Sequence, residues 1–109
     1  MLFRSRDVGA YARQGLADLA LRHEVIGDVR GSGLFFGAEL VKSRRTREPA
    51  TAYTKRVVNE MRRRGIVLNF LGIHYNTLKI RPPMPFSRAD ADLLLCRLDE
   101  VLTELPLDA

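Results

Sequence analysis

The chain has 109 residues, of which 46% are hydrophobic and 28% are charged, a composition that excludes a disordered or fibrous protein. Its length indicates one domain with a core of its own, residues 1–109. The formal net charge is +5, but the 18 basic and 13 acidic side chains are dispersed, so charge alone gives weak support for an anionic partner.

Signals for membranes and secretion are missing from the sequence. No apolar run reaches the roughly 20 residues that a membrane-spanning helix needs, and the first residues lack the apolar segment of a secretory signal. Cys96 is the only cysteine, so an internal disulfide is excluded, as is usual in reducing compartments. We therefore expect a cytoplasmic protein without a membrane partner.

The first half of the chain predicts a helix, a strand and a second helix. Apolar residues at helical spacing predict an amphipathic helix over residues 5–22. The glycines of residues 27–33 predict a short extended piece with a turn or bulge. Alternating residues 34–41 predict the first strand, and residues 49–64 predict the next helix, which ends at Gly65.

The second half predicts two strands and a closing helix. Residues 66–71 and 77–81 are separated by a short turn, which makes them an antiparallel pair. Ser87 and Asp90 have the spacing of a capping box, and a leucine-rich stripe extends from there to Leu105. The order α-β-α-β-β-α predicts an α+β fold, a small antiparallel sheet of about three strands with helices packed on it.

Three groups of residues that often mark active sites favour structural roles here. The glycine-rich segment 31–37 departs from the dinucleotide-binding spacing and leads into a strand. His23 and His74 have no third ligand nearby in sequence, which favours surface or turn positions. Cys96 lies among leucines, which predicts a small buried residue rather than a nucleophile. The sequence therefore predicts no catalytic, cofactor-binding or metal-binding residue.

An RNA-binding module is a second interpretation of the basic residues. Arg62, Arg63 and Arg64 resemble a nucleic-acid patch, but they fill the last turn of a predicted helix, where cations stabilise the helix end. Phe35 and Phe36 are adjacent, so they point to opposite faces of a strand and cannot form one stacking platform. We expect no nucleic-acid partner, although an RNA-binding or standalone interaction module stays open.

Lys79 and Arg81 are the candidate binding residues. Alternation places Leu78 and Ile80 on one face of the strand and both cations on the other, about 6 to 7 Å apart. Pro82 and the following proline restrict the exit of the strand. Two such cations can bind one anion together, whereas the alternative is an exposed face kept soluble by charge.

Three ordered segments resemble a known family. "IGDVRGSGLFFGAELVKSRRTREPA", "RGIVLNFLG" and "NTLKIRPPMPFSRADADLLLCRLDEVLTEL" are similar, in order and spacing, to the C-terminal small domain of class III pyridoxal-phosphate-dependent aminotransferases. The likeness covers residues 8–105. It implies that residues 1–24 are a connecting helix and that residues 25–109 form an α/β sandwich.

The resemblance implies a fragment of an enzyme that is inactive alone. In this family a missing large domain holds pyridoxal 5′-phosphate on a lysine, and Lys42, Lys55 and Lys79 do not stand in that lysine motif. No cofactor is therefore expected on this fragment. The implied partners are the large domain, a second copy in a dimer or other homo-oligomer, and a small amine or amino-acid substrate.

The resemblance also gives the two cations a role in substrate binding. Family members commonly carry an arginine where this chain has Lys79, and that arginine binds the substrate carboxylate as a planar fork. "NTLKIRPPM" resembles instead the branch of phospho-lyases that act on amino phosphates. Transamination and phosphate elimination both stay open, with Lys79 and Arg81 as the substrate-binding residues.

Overall fold

A computed structural model describes residues 5–32, 35–71, 76–80 and 87–105. Within these ranges the chain forms three helices and four strands. In chain order they are α1 (Ser5–Arg22), β1 (Ile26–Ser32), β2 (Phe35–Leu40), α2 (Thr51–Arg63), β3 (Asn69–Leu71), β4 (Thr77–Ile80) and α3 (Arg88–Glu104). None of the helices in the described ranges is long and apolar enough to cross a bilayer.

The four strands form one antiparallel sheet in the order β1-β2-β4-β3. The predicted α+β class is confirmed, as is the antiparallel pairing of the two strands before the closing helix. The extended piece predicted before β2 is a complete strand, so the sheet has one strand more than expected. A register shift between Ile26 and Asp28 marks the predicted irregularity near Gly27.

One face of the sheet carries the hydrophobic core. Ala38 and Leu40 of β2 and Leu78 and Ile80 of β4 are buried on this face. All three helices pack apolar side chains into the same core. The helical contributors include Ala12, Leu16, Leu19, Tyr53, Val57, Met61, Ala91, Leu94, Leu98 and Val101.

A buried asparagine fixes how β2 pairs with β4. The side-chain Nδ2 of Asn76 donates to the carbonyl oxygen of Leu40 at 2.9 Å. The backbone N–H of Leu40 donates in return to the carbonyl oxygen of Asn76 at 2.7 Å. Because a slip of one residue would turn every side chain of a strand to the other face, this double contact sets which residues of β4 face away from the core.

The closing helix has the predicted cap and stripe, but one residue on it is placed differently from the prediction. The Ser87 and Asp90 capping box is present, and the stripe of leucines is buried. Cys96 is exposed, which contradicts its predicted burial. It is two positions beyond buried Leu94 and two before buried Leu98, and at about 100° per residue this turns it away from the core.

Candidate functional site

A row of four residues crosses the sheet on the face opposite to the core. Gly37 of β2 lies between Arg30 of β1 and Lys79 of β4. Lys79 is paired on its other side with Asn69 of β3. Directly opposed residues in neighbouring strands point to the same face, so these positions form one line, the cross-sheet row.

Gly37 leaves the centre of the cross-sheet row without a side chain. A Cβ added at this position would lie 2.5 Å from the carbonyl oxygen of Leu78, closer than real Cβ contacts. The backbones of β2 and β4 therefore approach each other here more closely than a side chain would permit. Because glycine has no side chain, a gap also lies between the side chains of Arg30 and Lys79.

Lys79 has the orientation that the sequence predicts. Leu78 and Ile80 are buried, whereas Thr77 and Lys79 are partly exposed on the other face. Within the described ranges, Lys79 forms no ion pair with a carboxylate. Arg81 lies outside the described residues, so its pairing with Lys79 and the binding role of both remain predictions.

Glu39 lies on the same face as the cross-sheet row and is held by two arginines. Its side chain is 23% exposed, and its Oε1 accepts a hydrogen bond from Nη2 of Arg47 at 3.1 Å. Its Oε2 lies 3.8 Å from Nη2 of Arg30. The negative charge of Glu39 is thus balanced by Arg47 and Arg30.

Arg30 interacts more closely with Asp28 than with Glu39. Its Nε donates to Oδ2 of Asp28 at 2.7 Å, and the backbone N–H of Val29 donates to Oδ1 at 2.9 Å. The hydrogen bond from Arg30 is the main reason why the pKa of Asp28 lies below its usual value. The same bond raises the pKa of Arg30. Both groups therefore stay charged at neutral pH.

The sequence identifies Lys79 but gives no indication of the contacts among Arg30, Glu39 and Arg47 around it. Period-two alternation within one strand is visible in a sequence, and it was enough to predict the face on which Lys79 lies. The other residues come from β1, β2 and the loop after β2. Gly37 was the one available signal, because an isolated glycine inside a strand often marks close backbone approach.

The histidine and the arginine run have the structural roles that the sequence favours. His23 lies in the turn after α1, and its Nε2 is 2.7 Å from Oδ1 of Asp99. His74 lies outside the described residues.

Arg64 ends α2 before Gly65, which has a φ of +90°. Its guanidinium pairs with three glutamates on α2 and α3, namely Glu60, Glu100 and Glu104.

Lys42 and Lys55 do not fit the position of a lysine that forms a Schiff base with a cofactor. A lysine that forms a Schiff base needs desolvation or a cationic neighbour to lower its pKa. Lys42 and Lys55 are exposed, and Lys42 lies 3.6 Å from Oε1 of Glu48, an anion. No cluster of metal-ligating side chains occurs in the ranges that the structure describes. It stays a prediction that pyridoxal 5′-phosphate binds to the large domain, outside this chain.

Comparison with known proteins decides the family. The sequence model of the family described as "Aminotransferase class-III" matches residues 1–102, nearly the whole chain. The chain belongs to the class-III aminotransferase family. The resemblance found in the sequence is thereby confirmed.

Individual class-III relatives are similar over the same region. The Arabidopsis thaliana protein named "Alanine--glyoxylate aminotransferase 2 homolog 2, mitochondrial" is 39% identical over 98 residues, which are 90% of this chain and 20% of that protein. The structure of a phospholyase from Arthrobacter in complex with phosphoethanolamine is 43% identical, with a TM-score of 0.89, over 94% of this chain and 24% of the other.

A third relative was solved with its cofactor. An amine transaminase from an uncultivated Pseudomonas species, in its PLP-bound form, is 31% identical with a TM-score of 0.83. The match covers 94% of this chain and 23% of the transaminase. The chain thus spans about a fifth to a quarter of the length of these class-III proteins.

Proposed function

We propose that this chain is the C-terminal small domain of a longer pyridoxal-phosphate-dependent enzyme, in which it binds the anionic group of an amine substrate. The observation that carries the proposal is Lys79, a cation on the sheet face opposite to the core that has no carboxylate partner among the described residues. The large domain, outside this chain, would supply the cofactor and its chemistry.

Phosphate is the anionic group that we propose for the substrate. Lysine offers a compact charge with rotatable donors, which suits a tetrahedral phosphate, whereas a carboxylate is matched best by the planar fork of arginine. The likeness to a phospholyase solved with phosphoethanolamine supports the same choice. The proposed reaction is elimination, in which a proton leaves one carbon and phosphate leaves the neighbouring carbon.

The decisive experiment replaces Lys79 in the full-length enzyme. We expect Lys79→Ala to raise KM for phosphoethanolamine about ten-fold or more, because a hydrogen bond to a charged group is lost. Release of inorganic phosphate and the absorbance of the bound cofactor would be measured together. The cofactor absorbance should stay unchanged, since the proposal places the cofactor in the large domain.

Two further variants separate a local contact from a general effect of charge. Lys55→Ala removes the same charge from an exposed position on α2 and should leave KM unchanged. Lys79→Arg should favour amines that carry a carboxylate over amines that carry a phosphate, because of its bidentate geometry. An unchanged kcat/KM in Lys79→Ala across amine substrates would remove Lys79 from the site.

Amino transfer is the second candidate reaction. It is favoured by the 39% identity to a relative named as an alanine–glyoxylate aminotransferase and by the likeness to an amine transaminase. Both reactions use an amine substrate, so the products distinguish them. Formation of a new amino acid from a keto acid, without release of phosphate, would favour amino transfer.

The assembly and the compartment belong to the same proposal. We expect the full-length enzyme to form a homo-oligomer and to act in the cytoplasm. Size-exclusion chromatography with light scattering, and fractionation of cells that express the enzyme, would test these two expectations separately.

A further inference from the structure

We propose that Arg47 is a positioning residue, which holds Glu39 away from Lys79 and so keeps the charge of Lys79 available to the substrate anion. The inference rests on the proposed role of Lys79 in binding that anion. Arg47 itself lies in the loop between β2 and α2 and is not among the candidate binding residues that the sequence predicts.

The register of the sheet brings Glu39 within reach of Lys79. Glu39 is paired with Thr77, and Lys79 is two residues further along β4, on the same face. Diagonal neighbours of this kind lie about 7–8 Å apart, which long side chains can bridge. Gly37, directly opposite Lys79, has no side chain that would separate the two. Without another partner, Glu39 would be the natural counter-ion of Lys79.

Arg47 is the residue that engages Glu39 most closely. Its Nη2 is 3.1 Å from Oε1 of Glu39, a hydrogen-bonding distance, whereas Nη2 of Arg30 is 3.8 Å from Oε2. In addition, Nε of Arg30 donates a hydrogen bond to Oδ2 of Asp28 at 2.7 Å. The position of the Glu39 carboxylate therefore depends mainly on Arg47.

The backbone of Arg47 adds independent evidence for a constrained position. Its φ is +57°, a left-handed backbone conformation that residues other than glycine and asparagine seldom adopt. Two backbone hydrogen bonds keep it there: Arg47 N–H donates to Ser43 at 2.7 Å, and Lys42 N–H donates to Glu48 at 2.7 Å. Such strain persists where the surrounding structure fixes a residue, and it is frequent at functional sites.

The proposal predicts competition inside the site. When Arg47 is removed, Glu39 turns to Lys79, and the substrate anion must displace it. The affinity for the anion should then fall about two- to five-fold, which corresponds to the strength of a partly exposed ion pair. Since the same interaction is lost in the ground state and in the transition state, KM rises while kcat is unchanged.

The test uses the full-length enzyme with phosphoethanolamine as substrate and inorganic phosphate as a competing anion. Arg47→Gly removes the guanidinium and suits the left-handed backbone, so the loop keeps its conformation. We expect KM to rise about two- to five-fold, and inhibition by phosphate to weaken by the same factor. Arg47→Lys, which keeps the charge, and Glu39→Gln in the Arg47→Gly background should both restore KM.

Matched variants decide between this inference and its alternatives. Arg45→Ala removes a charge from the same loop, where Arg45 is exposed, and should leave KM unchanged. Arg47→Gly should have no further effect on KM in a Lys79→Ala enzyme. An equal effect with and without Lys79, or no rescue by Glu39→Gln, would overturn the inference and leave the proposed function standing. An unaltered KM in Lys79→Ala alone would overturn both.

Discussion

Gly37 shows how a single residue shapes the cross-sheet row. A methyl group at this position would lie 2.5 Å from the carbonyl oxygen of Leu78, so β2 and β4 would have to move apart. We expect Gly37→Ala to lower the free energy of unfolding by about 1–3 kcal/mol, as crowding of a packed site does. Urea unfolding would measure it. Asn69→Ala, at the exposed end of the same row, is the control and should change stability by less than about 0.5 kcal/mol.

An equal loss in both variants would mean that close approach at Gly37 is unimportant. If Gly37→Ala proved neutral, the strands could separate without cost, and the spacing between Arg30 and Lys79 would not be fixed by the backbone. The substitution therefore tests the geometry of the row independently of any enzymatic activity.

At the scale of elements, the sequence was most informative where one periodicity extends over many residues. Helix α1 (Ser5–Arg22) has the predicted limits because its apolar spacing repeats over several turns. For strand β1 (Ile26–Ser32) the sequence predicts only an extended piece, because an edge strand with glycines and charged residues lacks a clear alternation. The contact between Glu39 and Arg47 was not predictable, since it depends on how a loop returns to the sheet.

Helices α2 and α3 are joined by an ion-pair cluster around Arg64. Its guanidinium contacts Glu60 at 3.1 Å on its own helix, and Glu100 at 3.3 Å and Glu104 at 2.6 Å on α3. The hydrogen bond from Arg64 is the main reason why the pKa of Glu104 lies below its ordinary value of 4.5. A cluster of several charges with an arginine at its centre contributes more than isolated surface pairs do.

The lowered pKa of Glu104 predicts how stability depends on pH. A carboxylate with a lowered folded-state pKa stabilises the fold above its unfolded pKa, and this contribution is lost as pH falls through the folded value. We expect Glu104→Gln to be less stable than the natural chain at pH 7, and the difference to shrink as pH falls below 4.5 and through the lower pKa of the folded state. Thermal unfolding at several pH values measures this.

The control for this pH dependence is Glu24→Gln, which removes the same charge from an exposed site after α1. Its stability should follow that of the natural chain across the same range of pH. A difference in Glu104→Gln that stays constant from pH 7 to pH 3 would show that the side chain acts through packing rather than through its charge.

At the scale of the whole molecule, we propose that α1 unfolds as one unit with residues 25–105, although α1 lies in residues 1–24, the helix expected to connect to another domain. Leu16 of α1 is fully buried in the core that the sheet, α2 and α3 share, whereas Leu21 of the same helix is 84% exposed.

Leu16→Ala should lower the free energy of unfolding by about 2–5 kcal/mol, and Leu21→Ala by less than about 0.5 kcal/mol. Urea unfolding by circular dichroism, with hydrogen exchange at Val57 on α2, measures both effects. Leu16 and Val57 lie in the same core, so Leu16→Ala should accelerate hydrogen exchange at Val57 as much as hydrogen exchange in α1. Acceleration that is confined to α1 would mean that this helix is only a connection to another domain.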